Sequence, residues 1–379
     1  MVSKRFGFVF GDIGGTKMAV PLRDYLTNLG HEVKFAVDGN GKGADVLKEA
    51  KINFEVFFGL SQVDFTRFIK DVDLMFIGTC ATALELEIEF ANNLLRYPYG
   101  EMEYDHIPVV LGADGLFNHG LKKWQAVMAD YWLAITEGHA QTIRALRPDF
   151  SPDKVIFAGQ PAFDVAMDLI PRKEEIRSQR RIELEMQNKK AILWWSTGLG
   201  EIIKEDVEMV KAVISALPQN AVFMPRFHPK LEDTVRKGYI NEIRTEIVEH
   251  CRANKVQLVF DDVTRKIPSE ELCLAVDGIF SVTCTEDVKN TMMGGPLVVH
   301  LMGPVVREFY EEEWGLKPPY YFPDVLGKES LLVIHPNDIA NTLSLALRPE
   351  TLKLLRKDWQ PPKEKATVKV AETLLALVR

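Results

Sequence analysis

The sequence is poor in the features that mark membrane, nucleic-acid-binding and disulfide-rich proteins. It has no apolar run near the roughly 20 residues that a membrane-spanning helix needs, so we expect no transmembrane segment. Its formal charge of −8 disfavours a phosphate backbone, so we expect no nucleic-acid partner. The 4 cysteines form no CxxC pair, which indicates a reducing compartment without structural zinc. The first residues lack the apolar core of a signal peptide, and we expect a cytoplasmic protein.

What the sequence does contain is a regular alternation of short apolar runs and amphipathic stretches. This alternation is typical of βαβ units built on a buried parallel sheet. In the first half it predicts strands at 6–10, 32–37, 54–56, 74–78, 107–111, 131–136 and 154–158, and helices at 18–29, 84–95 and 139–146. In the second half it predicts strands at 191–195, 221–225, 256–260, 278–282 and 297–301, and helices at 204–217, 231–251, 270–275, 288–293 and 366–377.

A charged segment separates the two halves. Residues 171–190 hold 11 charged residues among 20, which predicts a solvated helical connector. We therefore predict an N-terminal Rossmann-like domain over 1–170, a connector over 171–190 and a C-terminal Rossmann-like domain over 191–360. Residues 361–379 should form a helix that packs back on an earlier surface. The fold class is thus α/β with two Rossmann-like domains, and a length of 379 residues suits two domains.

The first strand runs into a glycine turn, GDIGGTK, at residues 11–17. Alone, this string resembles the phosphate motif of ROK-type sugar kinases, which lies in a β-hairpin. Here apolar residues at helical spacing over 18–29 predict a helix, with Pro21 in its first turn and Gly30 ending it. Strand, glycine turn and helix together predict the opening of a nucleotide-binding fold, and the kinase becomes the least favoured alternative.

The glycine turn carries the first set of candidate site residues. Gly14, Gly15 and Thr16 would let a ligand approach the backbone at a helix N-terminus. Asp12 would repel a phosphate there and suits hydroxyl recognition or general-base catalysis better. The alternative is that the glycines only make a tight turn.

Four segments, taken in order, resemble the GT-B-fold glycosyltransferases and their relatives. These relatives are the peptidoglycan GlcNAc transferase, lipid A disaccharide synthase and UDP-GlcNAc 2-epimerase groups. The segments are GG…PL…L…LGHEV over 14–33, the G-x-P-x-x-D run over 159–164, LWWSTGLGE over 193–201, and LAVDGIFS…MGGPLVV over 274–299. Each is weak alone, but together they cover both halves of the chain.

This resemblance implies a nucleotide-sugar-dependent glycosyltransferase whose two domains face one cleft. It implies a nucleoside-diphosphate sugar, UDP-linked, as a small-molecule substrate on the C-terminal domain, with no separate cofactor. From the residues themselves we expect no metal site. Backbone amides and hydroxyls before a helix suit a diphosphate, and an arginine can pair with it in bidentate fashion. The predicted binding residues are Ser196, Thr197, Gly198, Arg226, His228, Ser281, Thr283, Thr285 and Glu286. A simple turn at His228 is the alternative for that residue.

The acceptor side is predicted on the N-terminal domain. Asp114 and His119 follow a strand and can form an acid–base pair, with Asp12 as a further candidate base. A turn with a surface histidine is an equal alternative. The acceptor, the sugar and the oligomeric state stay open, a homodimer included. The aromatic segment over 310–323 is either a lid or a subunit contact.

The family pattern is not fully matched. Lys289 stands where the family has an acidic residue that holds the ribose, so either Glu286 replaces it or no residue holds the ribose in this way. Thr16 stands where the peptidoglycan enzymes have a histidine, and the catalytic motifs of the epimerases are missing. A sugar-nucleotide epimerase or hydrolase, and a binding protein that lost the chemistry, therefore remain alternatives.

Overall fold

The structure is a computed structural model that describes residues 2–80, 85–96, 106–113, 115, 120–228, 231, 237–315, 330–358 and 360–378. The chain forms two compact units. Unit 1 comprises Met1–Asp164, Glu313–Leu316 and Lys363–Arg379, and unit 2 comprises Val165–Glu312 and Lys317–Pro362. In the part of the chain described, no helix is both long and apolar enough to cross a membrane.

Unit 1 is built on a sheet of seven parallel strands in the order β3-β2-β1-β4-β5-β6-β7. The strands are β1 (Arg5–Phe10), β2 (Glu32–Asp38), β3 (Glu55–Phe57), β4 (Leu74–Gly78), β5 (Val109–Gly112), β6 (Tyr131–Ala134) and β7 (Val155–Phe157). The helices are α1 (Ile13–Asn28), α2 (Gly43–Glu49), α3 (Gln62–Ile69), α4 (Glu85–Arg96), α5 (Lys122–Gln125), α6 (Glu137–Leu146) and, from the end of the chain, α17 (Ala366–Leu377).

Unit 2 repeats this plan with six parallel strands in the order β10-β9-β8-β11-β12-β13. The strands are β8 (Ala191–Trp195), β9 (Val222–Arg226), β10 (Gln257–Leu258), β11 (Gly278–Ser281), β12 (Leu297–Leu301) and β13 (Leu331–Val333). The helices are α7 (Asp164–Leu169), α8 (Lys173–Glu183), α9 (Ile203–Ala216), α10 (Lys237–Ala253), α11 (Asp261–Thr264), α12 (Ser269–Ala275), α13 (Thr285–Met292), α14 (Pro304–Trp314), α15 (Ile339–Ala346) and α16 (Pro349–Leu355), of which α7 and α14 begin or end in unit 1.

Both sheets are buried on both faces, as the continuous apolar runs predict. In β1, Phe8 packs on the α1 and α17 side, whereas Val9 packs on the α3 and α4 side. In β8, Trp194 faces α9 and α10, whereas Leu193 faces α8 and α12. Successive side chains of a strand point to opposite faces, so each strand anchors two helical layers.

The predicted strands all occur, with ends shifted by a few residues, and β13, α2, α3, α5, α7, α11 and α14–α16 were not predicted. Gly30 ends α1 with a φ of 88°, which confirms the predicted role of this glycine. Two points about α1 were wrong: it begins at Ile13 rather than at residue 18, and Pro21 lies inside it rather than in its first turn. The earlier start follows from the capping that Asp12 supplies.

The terminal helix α17 packs on α1 in unit 1. Its first N–H groups are held by a residue about 200 positions earlier in the chain. The Asp164 carboxylate accepts hydrogen bonds from the N–H groups of Ala366 at 2.7 Å and Thr367 at 2.9 Å. Asp164 therefore anchors the end of the chain to unit 1.

The charged segment over 171–190 forms α8 for most of its length, and α8 lies in unit 2. Arg177 and Arg181 both donate to the carboxylate of Asp277, at 2.7 and 3.2 Å. The charged residues of this helix are thus partly used in packing and do not only face solvent.

Candidate functional site

The strand order reverses once in each sheet, and these points define two candidate sites. In unit 1 the reversal falls between β1 and β4, and in unit 2 between β8 and β11. In open parallel sheets, ligands bind beyond the carboxyl ends of the strands at such a reversal. The predicted glycine turn follows β1, and the predicted loops at Ser196 and Thr283 follow β8 and β11.

In unit 1, the glycine turn is the first turn of α1. The Asp12 Oδ1 atom accepts hydrogen bonds from the N–H groups of Gly14 at 3.0 Å and Gly15 at 3.3 Å. Thr16 donates its N–H and its hydroxyl to the Asp12 carbonyl, at 3.1 and 2.7 Å. Asp12 is therefore the N-cap of α1, and it accepts from two of the amides that we predicted would face a ligand.

Beneath this turn lies a carboxylate that the sequence analysis missed. Glu87 is fully buried, and its two oxygens accept hydrogen bonds from the N–H groups of Gly11 at 2.8 Å and Cys80 at 2.9 Å. It thereby ties the loop after β1 to the loop after β4, at the reversal of the strand order. Burial raises the pKa of Glu87 to about 8, although both N–H donors act in the opposite direction. Its position on the apolar face of α4 was the available signal.

The remaining catalytic candidates of unit 1, Asp114 and His119, lie outside the described residues. Their predicted acid–base role stays a prediction. The neighbouring strand end is described: Trp124 donates its indole N–H to the Cys80 carbonyl at 2.9 Å. This bond supports the same loop that Glu87 holds.

In unit 2, the loop after β8 is held by a buried aspartate. Asp206 on α9 accepts hydrogen bonds from the Thr197 N–H and the Trp194 indole N–H, both at 3.0 Å. Burial raises the pKa of Asp206 to about 7, whereas these two donors lower it. Asp206 was also missed by the sequence analysis, because an aspartate in the first turn of a helix is ordinarily assigned to the helix dipole.

The same loop is joined to the end of β9. The His228 N–H donates to the Ser196 hydroxyl at 2.9 Å. A Cβ atom on Gly198 would lie 2.6 Å from the His228 Nδ1 atom, so a larger residue at position 198 would force the imidazole ring to move. Ser196, Gly198 and His228 are therefore brought together as predicted residues of one loop pair, and their ligand contacts stay a prediction.

Arg226 ends β9 beside this loop. Its Nη1 atom donates to the carbonyls of Thr264 at 3.0 Å and Ile267 at 3.1 Å. Its guanidinium lies 5.5 Å from the Trp195 ring centroid. Burial lowers the pKa of Arg226, which nevertheless remains a cation. Two carbonyls thus orient the guanidinium, and they occupy one of its donor atoms.

The loop after β11 is also built on a buried carboxylate. Asp287 accepts hydrogen bonds from the Ser281 hydroxyl at 2.6 Å and the Cys284 N–H at 3.0 Å. Burial raises the pKa of Asp287 to about 7. The Thr283 hydroxyl bonds to the hydroxyl of Tyr310, which is buried in α14. Of the predicted hydroxyls, Ser281 and Thr283 therefore have protein partners.

The first turn of α13 carries the last predicted residues, Thr285 and Glu286. Lys289 donates to Glu286 Oε1 and to Glu270 Oε1, both at 2.8 Å. Burial lowers the pKa of Lys289, but the two carboxylates outweigh it and raise the pKa above its ordinary value. The second oxygen of Glu286 is buried and has no hydrogen-bond partner among the described residues. Lys289, which departs from the family pattern, thus holds Glu286 in place.

No protein-family model matches the chain, and no curated protein sequence is similar to it. Solved structures share its fold over nearly the whole length. UDP-GlcNAc 2-epimerase from Neisseria meningitidis, bound to UDP-GlcNAc, has a TM-score of 0.65 at 16% identity and covers 98% of this chain and 100% of its own. A glycosyltransferase from Rickettsia africae has a TM-score of 0.59 at 12% identity, with coverages of 100% and 95%. HepE from Anabaena, in complex with UDP, has a TM-score of 0.59 at 13% identity, with coverages of 99% and 100%.

These similarities establish the fold. The chain has the GT-B fold, with two Rossmann-like domains that each carry a parallel sheet. The resemblance seen in the sequence is thereby confirmed for the fold. At identities of 12–16%, activity does not follow from the similarity and rests on the site itself.

Proposed function

We propose that this protein binds a nucleoside-diphosphate sugar, UDP-linked, at the carboxyl edge of the second sheet and transfers the sugar to an acceptor hydroxyl. The observation that carries the proposal is the unpartnered oxygen of Glu286 at the reversal of the strand order. A buried acceptor without a donor is costly unless a ligand supplies one. A ribose or sugar hydroxyl is such a donor.

The diphosphate has suitable partners on the same edge. The first residues of a helix leave N–H groups unsatisfied, and α13 begins at Thr285 next to Glu286. The loop after β8 adds the Ser196 hydroxyl and the Gly198 backbone, and Arg226 supplies a cation. This combination of amides, hydroxyls and one cation favours an anion that also carries hydroxyl groups.

In the proposed reaction, the acceptor oxygen forms a bond to the anomeric carbon while the bond from that carbon to the diphosphate oxygen breaks. The acceptor proton passes to a base, for which Asp12, Asp114 and His119 are the candidates. The leaving diphosphate retains the electron pair of the broken bond, and the amides and the cation of the second unit stabilise its charge.

The first experiment measures binding. Thermal shift of the full chain with UDP, CDP, GDP and ADP, and with UDP-sugars, should show stabilisation by UDP and UDP-sugars. Glu286→Gln should lower the affinity for the UDP-sugar at least tenfold, because an oxygen that accepts a hydrogen bond is replaced by an NH₂ group that donates one. Glu249→Gln, which makes the same change at an exposed position of α10, is the matched control and should leave binding unchanged. If no nucleoside diphosphate or UDP-sugar stabilises the chain, the proposal is wrong.

The second experiment separates the activities. The chain is incubated with a UDP-sugar alone and then with a panel of hydroxyl acceptors, and UDP and sugar products are measured. Release of UDP only with an acceptor supports glycosyl transfer. UDP release without an acceptor identifies a hydrolase, a new sugar isomer identifies an epimerase, and tight binding without turnover identifies a binding protein.

A further inference from the structure

Unit 2 contains a cavity of about 260 Å³ at the opposite edge of its sheet. Lys190, Asp277 and Pro296 line it, and they directly precede β8, β11 and β12. The strand β8 has five residues, which at about 3.3 Å per residue separates the two edges by roughly 16 Å. The cavity is therefore distinct from the edge to which we assign the nucleotide sugar.

The lining of this cavity is basic. It includes four cationic residues, Lys173, Arg177, Lys190 and Arg348, and two acidic ones, Glu174 and Asp277, so its net charge is 4 − 2 = +2. The charge of Asp277 is compensated, because Arg177 and Arg181 both donate to it. The lining is thus positively charged, although the whole chain has a net charge of −8.

The cations at the rim are available to a ligand. Within the described part of the chain, neither Lys173 nor Lys190 has an ion-pair partner, and the Arg348 guanidinium donates only to the Ser344 hydroxyl at 3.2 Å. The floor is apolar and consists of the half-buried Leu347 and Leu352. The cavity thus offers cationic donors above an apolar surface.

We propose that this cavity is a second binding site, for a small organic anion. Its carboxylate or phosphate group binds Lys190, Lys173 and Arg348, and its apolar body packs on Leu347 and Leu352. The volume of about 260 Å³ is below the roughly 300–1,000 Å³ of ordinary ligand pockets, so a nucleotide sugar is too large for it. A bound anion would bridge α8 and the turn between α15 and α16, because both contribute to the lining.

The test uses the full chain and four probes in isothermal titration: benzoate, phenyl phosphate, benzyl alcohol and inorganic phosphate. Benzoate or phenyl phosphate should bind with one-to-one stoichiometry, and the neutral alcohol and the inorganic ion should each bind at least tenfold more weakly. Lys190→Glu and Arg348→Glu should each lower the affinity for the organic anion at least tenfold. Lys353→Glu makes the same charge change on exposed α16 outside the lining and should change the affinity less than twofold.

A cavity-filling variant provides an independent check. Leu352→Trp, at a half-buried lining position, should abolish binding of the organic anion and leave UDP binding unchanged. The proposal is overturned if neither organic anion binds, or if either binds Lys190→Glu, Arg348→Glu and Leu352→Trp as tightly as the unchanged chain. Inorganic phosphate binding as tightly as phenyl phosphate would overturn the role of the apolar floor. None of these outcomes depends on whether the chain turns over a nucleotide sugar.

Discussion

Replacing Glu87 with glutamine should change how the stability of the protein depends on pH. Glu87 is fully buried and accepts hydrogen bonds from the N–H groups of Gly11 and Cys80. Its pKa is raised from 4.5 to about 8, chiefly by burial. The folded state therefore keeps a proton on this carboxyl at pH values where the unfolded state has lost it.

The sign and size of the effect follow from this difference. A raised carboxyl pKa contributes stability that is complete below about pH 4.5 and is lost as the pH rises to about 8. The loss is about 1.4 kcal/mol per pH unit, or roughly 4 kcal/mol between pH 5 and pH 8. In Glu87→Gln the group does not titrate, and one N–H loses its acceptor at a pH-independent cost of about 1–3 kcal/mol. The unchanged protein should be the more stable one at pH 5, and the difference should vanish or reverse by pH 8.

Urea unfolding of both proteins at pH 5, 6, 7 and 8, followed by circular dichroism, measures this difference directly. Glu89→Gln, on the exposed face of the same helix, is the matched control and should give a difference that does not vary with pH. A constant difference between the unchanged protein and Glu87→Gln over this range would refute the argument, because it would mean that Glu87 has the same pKa in both states.

Three further substitutions test single contacts. Asp12→Asn should keep the N-cap of α1 and abolish turnover if Asp12 is the base, and turnover by this variant would exclude Asp12 as the base. Asp12→Ala should in addition lower the free energy of unfolding in urea by about 1 kcal/mol. Asp164→Ala should cost about 1–3 kcal/mol and expose α17 to proteolysis first, and unchanged proteolysis would contradict the anchoring role. Lys289→Met should cost about 3–5 kcal/mol in urea unfolding, because two largely buried carboxylates lose their cation; a loss below 1 kcal/mol would contradict it.

Much of the fold could be predicted from the sequence because its signals are local. Apolar runs of five residues, such as the one that forms β8, indicate buried strands when helical patterns flank them. After the glycine turn, the helical spacing of apolar residues and the Gly30 that ends it were enough to predict a helix there and not the second strand of a hairpin. The start of α1 was misplaced, because glycines at 14 and 15 predict a turn until the side chain that caps them is known.

The candidate site was predictable only in part. Hydroxyls and glycines after apolar runs indicated the loops at Ser196 and Ser281, since parallel strands end at one edge of a sheet. The carboxylates that hold those loops, Asp206 and Asp287, carry no such signal. Each lies on a helix that follows the loop, and its partner is known only once that helix packs.

The sequence by itself therefore determined the two Rossmann-like units and the loops that carry polar groups, because hydrophobic period and turn chemistry act over short stretches. Only the tertiary structure decided that Asp12 caps a helix, that Glu87 joins the loops after the neighbouring strands β1 and β4, and that Lys289 holds Glu286. It also decided that basic residues from distant segments meet at the amino edge of the second sheet. These features depend on burial and on contacts between residues far apart in the chain, and no local pattern records them.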